Sequence, residues 1–107
     1  MFNFFGRSSG MSMAQAVEEA KNNPGLRLVD VRSREEYALG HLPGAVNLPL
    51  DELEKAQRLF PDKSARLCLY CHSGARSGAA LGALKRMGYT QCENIGGIAG
   101  YRGSLER

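Results

Sequence analysis

Hydrophobic positions along the chain cluster in short segments of strand length, separated by segments whose apolar residues recur at helical intervals. Leu26–Val31, Ala45–Leu48, Arg66–Tyr70 and Cys92–Ile95 are runs of strand length and predict buried strands. Between them stand helix signals. Ser12 and Gln15 have capping-box spacing ahead of Ala16, Val17 and Ala20, with Asn23-Pro24-Gly25 as the stop. Ser33 and Glu36 form a second capping box, opening a short helix that Gly40 would end in the left-handed conformation. Asp51–Leu59, stopped by Pro61, and Ser77–Met87, stopped by Gly88, predict two more helices.

Strands alternating with helices call for crossover connections. The expected fold class is therefore α/β, a central parallel sheet with helices on both faces. Residues 1–11, broken by Gly6, Ser8, Ser9 and Gly10, are expected to form a flexible leader, and residues 12–107 one domain. Ligands of such open sheets bind beyond the carboxyl ends of the strands, so the chemistry is sought there.

Composition narrows the picture. With 107 residues, 43% hydrophobic and 23% charged, the chain fits one ordinary globular domain. A net charge of +3 is a mild basic excess without a polybasic stripe, which gives no nucleic-acid signal and suits a small anionic substrate. No run approaches the length of a membrane span, and the Phe2, Phe4 and Phe5 cluster is too short for a signal sequence. Three cysteines cannot all pair within the chain. A reducing, cytoplasmic setting is the expectation.

One loop carries most of the chemical signal. Tyr70-Cys71-His72-Ser73-Gly74-Ala75-Arg76-Ser77 leaves a buried strand and enters a helix. A tight turn there aims successive backbone N–H groups inward, and the helix N-terminus adds the positive end of its dipole. A thiol at the head of that turn sits in a field favouring its anion, and the thiolate is the nucleophilic form. Arg76 would add a permanent charge, and Gly74 and Ala75 leave room for the backbone to curl around a bound group.

Other segments point the same way. Asp30-Val31-Arg32 ends an early strand; Gly40-His41-Leu42-Pro43-Gly44-Ala45 comes next, extended by Asn47-Leu48-Pro49; and Gly96-Gly97 precedes a short terminal helix. Together with the Cys71–Arg76 loop, these motifs, in this order, resemble the single-domain rhodanese-like sulfurtransferase family over about residues 12–102. One departure is Tyr101, where the family commonly has Trp; a tyrosine offers a similar flat apolar body.

The resemblance implies double-displacement sulfur transfer without metal or organic cofactor. Cys71 would take the outer sulfur of a small anionic donor such as thiosulfate, and a thiol, cyanide or protein acceptor would remove it. Cys71 and Arg76 would be catalytic, with His72, Ser73, Gly74, Ala75 and Ser77 forming the persulfide-binding loop. Asp30 and Arg32 would either brace that loop or touch substrate.

The remaining candidates have plainer readings. His41 belongs to a connecting loop, since an activated thiolate needs no separate base. His72 reads as an exposed loop residue that tunes acceptor choice. Cys92 reads as inert core. Cys68-Leu69-Tyr70-Cys71-His72 spells the attachment signature of c-type haem, and its first part a dithiol redox pair. Strand geometry opposes both readings, because three residues at about 3.3 Å each hold the two cysteines near 10 Å apart on opposite faces. Zinc lacks a second ligand pair at usable spacing. Two rival functions remain: a non-catalytic binding or regulatory module of the same family, and a phosphatase or arsenate reductase of the same fold. The latter class uses a loop one residue longer, Cys-x5-Arg against the Cys-x4-Arg of this chain.

Overall fold

The computed structural model describes residues 11–107. The expected leader, Met11 apart, and its phenylalanine cluster lie outside the described residues. Four strands, β1 (Leu26–Asp30), β2 (Val46–Asn47), β3 (Arg66–Cys71) and β4 (Gln91–Gly97), form one sheet in the order β2-β1-β3-β4. Every pairing is parallel, as the alternation of elements requires.

Helices cover both faces. On one side α1 (Met13–Asn22) lays Met13, Ala16 and Val17 over Leu26, Leu28, Cys68, Tyr70 and Ile95. On the other, α3 (Ala56–Leu59) and α4 (Ala75–Arg86) pack Ala56, Ala80 and Leu84 against Val29, Leu67, Leu69 and Cys71. The two clusters take alternate residues of the same strands, the period-two pattern of a sheet buried on both sides. Tyr101 packs beside the α1 cluster, as a substitute for a larger ring should.

Both capping boxes form. Ser12 closes on Gln15 at α1, and Ser33 on Glu36 at α2 (Arg34–Leu39), each with side chain and backbone donors reciprocally satisfied.

Several boundaries differ from expectation. Gly40 does take a positive φ, 153°, but with ψ at 135° it is extended and not left-handed helical. Leu105 fills the space a Cβ would need there. The helix expected over 51–59 is split into a 3-10 segment, Leu50–Lys55, and the short α3. Its break is at Glu52, whose backbone is non-helical and whose carboxylate is drawn to Lys55 and Arg34. α4 starts at Ala75, two residues early, because Gly74 turns the chain left-handed at φ 102° and serves as its N-cap. β3 runs through Cys71, so the cysteine is the last residue of the strand as well as the first of the turn.

At the carboxyl end of β1, Asp30 is fully buried and Arg32 nearly so. Arg32 Nη2 donates to Asp30 Oδ2 at 2.7 Å and to the Gly40 carbonyl at 2.6 Å. Asn47 Nδ2 donates to the carbonyls of Asp30 and Arg32, both at 3.0 Å, and Leu42 N donates to Tyr70 Oη, also at 3.0 Å. The pair thus anchors the 40–48 segment across the end of the sheet. Removing one partner of a buried ion pair strands the other charge. Asp30→Ala is expected to lose about 3–5 kcal/mol of unfolding free energy in a denaturant titration with unchanged slope.

Candidate active site

The strand β3 delivers Cys71 to the sheet's carboxyl edge, and the chain then turns sharply into α4. Cys71 keeps only 1% of its surface exposed, whereas His72 and Ser73 beside it are exposed. The sulfur therefore lies one layer beneath the surface.

Three donors converge on it. Gly74 N reaches Sγ at 3.0 Å, Ser77 N at 3.4 Å and Ser77 Oγ at 3.5 Å. Burial pushes the Cys71 thiol up, but the hydrogen bonds from the Ser77 hydroxyl and from the Ser77 and Gly74 amides outweigh it. The net result is a value below that of an ordinary cysteine. The other two cysteines go the opposite way. Burial, aided by nearby Glu93, pushes Cys68 up to about 12, and burial lifts Cys92 to about 11. Cys68 belongs to the α1 face and Cys71 to the α4 face, as strand alternation requires.

The loop holds its shape because β4 lets it come close. A Cβ on Gly97 would collide with the His72 carbonyl oxygen and stand 2.6 Å from Ser73 Cα. Only glycine allows that approach. Ala99 N then donates to the same His72 carbonyl at 3.1 Å, fastening the loop to the short 3-10 turn Ile98–Gly100. The paired glycines of the sequence are thus the platform under the loop.

Arg76 does not stand free beside the sulfur. Its Nη1 and Nη2 chelate Glu36 Oε1 and Oε2 of α2 at 2.7 and 3.0 Å. The hydrogen bond from Arg76, with those from Ser33, holds the Glu36 carboxyl down at about 2, so the pair stays charged across the neutral range. The charge that Arg76 offers an incoming anion is therefore partly offset by Glu36. Asp30 and Arg32 direct their hydrogen bonds to each other and to the 40–48 segment. His41 is buried, stacked on Tyr37 with ring centroids 3.7 Å apart, and its backbone bridges to Glu106. His72 and Ala75 lie on the exposed side of the turn.

Sequence reasoning missed Asn94 and Glu36. Asn94 Oδ1 accepts from Ser77 Oγ at 2.7 Å and from Gly96 N at 3.0 Å, while its Nδ2 donates to the Gly74 carbonyl at 3.1 Å. Its position two residues before Gly96 was the available signal, since a half-buried polar side chain in a strand needs a partner. Beside the loop, a cavity of about 300 Å³ is lined by Val31, Ser33, Pro49, Leu50, Asp51 and Arg76. It offers an approach to the loop from the side of β1.

A family model for the rhodanese-like domain matches residues 13–104. The thiosulfate sulfurtransferase PspE of Escherichia coli K12 is 44% identical over 71 residues, 65% of this chain and 68% of that protein. The human thiosulfate:glutathione sulfurtransferase is 37% identical over 94 residues, covering 76% of this chain and 80% of its relative. A solved structure titled as a rhodanese with anions from E. coli aligns with a TM-score of 0.70 at 38% identity, over 76% of this chain and 96% of that one.

The three cysteines should separate by reactivity. Because Cys71 ionises below the ordinary value, its thiolate fraction rises with pH through a lower midpoint and then levels off. Brief iodoacetamide treatment near neutral pH is expected to label Cys71 alone, read by peptide mass. Labelling of Cys68 or Cys92 at a comparable rate would contradict this ordering.

Proposed function

The chain belongs to the rhodanese-like family and is a rhodanese-type sulfurtransferase, and from that premise we propose that it carries the transferred sulfur as a persulfide on Cys71. The observation that carries this reading is the convergence of Gly74 N, Ser77 N and Ser77 Oγ on a single sulfur atom. Residues 12–107 act as one catalytic domain, and the three free cysteines suit a reducing, cytoplasmic setting.

The Cys71 thiolate attacks the outer sulfur of thiosulfate. A new S–S bond forms to Cys71, the S–S bond of thiosulfate breaks, and sulfite leaves with the bonding pair. Three negative charges enter the step and three leave it, one of them on the terminal persulfide sulfur. The loop amides face that charge as fixed dipoles that need no reorganisation. An acceptor nucleophile, cyanide or a thiolate, then attacks the terminal sulfur and returns Cys71 as thiolate. That the E. coli rhodanese is described with anions supports an anionic donor here. Arg76 draws the donor in, while Glu36 tempers its charge and fixes its guanidinium. His72, exposed next to the sulfur, contributes to acceptor choice, and Asp30 with Arg32 braces the neighbouring wall.

Two measurements test the reading. Thiosulfate added to the protein should increase its intact mass by one sulfur, and cyanide should then release thiocyanate. Wild-type protein that gains no sulfur, or Cys71→Ala that turns over undiminished, defeats it. Arg76→Ala should raise the KM for thiosulfate about tenfold, a loss of about 1.4 kcal/mol. Glu36→Gln, which keeps a capping-box acceptor but removes the charge, should lower that KM.

A further inference from the structure

Ser77 has one hydroxyl proton and three acceptors within reach. Its Oγ lies 2.7 Å from Asn94 Oδ1, 3.1 Å from the Gly74 carbonyl and 3.5 Å from Cys71 Sγ. A hydroxyl donates one hydrogen bond at a time and accepts through its lone pairs. Which acceptor takes the proton decides whether Ser77 stabilises the sulfur as an anion or as a thiol.

Asn94 is oriented to decide it. Its Nδ2 donates to the Gly74 carbonyl at 3.1 Å, and its Oδ1 accepts from Gly96 N at 3.0 Å. Reversing the amide would set a donor against the Gly96 N–H and an acceptor against the Gly74 carbonyl. The oxygen therefore faces Ser77, and the shorter contact takes the proton. A Ser77 hydroxyl turned toward Asn94 presents a lone pair to Cys71, which suits an S–H donor. When the sulfur carries charge, the hydroxyl turns to it, and Asn94 Oδ1 keeps its bond from Gly96 N.

We propose that Asn94 is a positioning residue that sets the ionisation of Cys71 by competing with its sulfur for the Ser77 proton. The catalytic meaning of this competition rests on the persulfide reading given above; the competition itself does not. The other charged or titratable groups near the sulfur are Arg76 of α4, chelated by Glu36 of α2, the Asp30 carboxylate paired with Arg32, and His72 of the loop. Among the described residues, none of them hydrogen-bonds Ser77 or Asn94.

The test is the pH midpoint of Cys71 alkylation by iodoacetamide, which needs neither donor nor acceptor of sulfur. Asn94→Asp strengthens the competing acceptor and adds charge, and should raise the midpoint by about one unit, tenfold less thiolate at a given pH. Asn94→Ala removes the nearest of the competing acceptors, leaving only the neutral Gly74 carbonyl to contend with a charged sulfur, and should lower it. Opposite shifts at one position do not arise from mere loosening of the loop. In a Ser77→Ala background the Asn94→Ala shift should vanish. An Asn94→Ala midpoint that is unchanged or raised, or a shift that persists without Ser77, overturns the proposal. Should Asn94→Asp fail to fold, Asn94→Ala with and without Ser77 decides the question alone. Midpoints that move as stated in a protein that takes no sulfur from thiosulfate would leave this inference standing and the persulfide reading fallen.

Discussion

A carboxylate with no solvent exposure must find its charge a partner within the protein, and Asp30 meets that demand at the end of a central strand. Arg32 answers it, and this pairing sets the geometry of the sheet's carboxyl edge. The guanidinium reaches the Gly40 carbonyl, Asn47 spans the carbonyls of residues 30 and 32, and Leu42 N is met by Tyr70. Burial, together with the neighbouring Asp30 carboxylate, raises Tyr70, keeping that phenol neutral and able to serve the backbone. The segment that crosses the strand ends is thereby pinned by side-chain hydrogen bonds to the end of β1 and to Tyr70.

The loop itself depends on a different device, a mismatch between two strands. Leu69 pairs with Asn94 but Cys71 pairs with Gly97, so two steps of β3 are matched by three of β4. A bulge of this kind re-aims the residues beyond it. Here it leaves Asn94 on the face of Cys71 while bringing Gly97 directly beneath the turn. The polar latch and the bare backbone platform come from the same irregularity. The electrostatics around Cys71 is mainly a matter of backbone placement, with Arg76 engaged by Glu36.

Much of this was legible in the residues. Apolar runs and capping boxes gave the order of elements and their start points, because those signals are local. The Cys71–Arg76 turn was readable for the same reason, as strand, turn and helix are contiguous there. Two kinds of feature were not readable. The partition of charge between Arg76 and Glu36 joins positions forty residues apart, and no spacing rule relates them. The role of Asn94 depends on a bulge, which the residue pattern of Cys92–Ile95 does not disclose. Local misreadings are equally local in place: the 51–59 helix breaks at the non-helical backbone of Glu52, and α4 starts early at the left-handed turn of Gly74.

The separation of the three cysteines would govern the lifetime of the proposed persulfide. Cys68 lies behind the sheet from Cys71, and Cys92, paired with Leu67, stands four strand positions away, about 13 Å. A disulfide needs alpha carbons within about 7 Å. In the proposed cycle a sulfur resting on Cys71 would thus have no internal thiol on which to collapse, and the chain could not discharge itself. It would be a reservoir of one atom, emptied only by collision with a second molecule. How long it held its cargo would be set by the concentration of acceptors around it and by what can pass the exposed shoulder of His72 and Ser73.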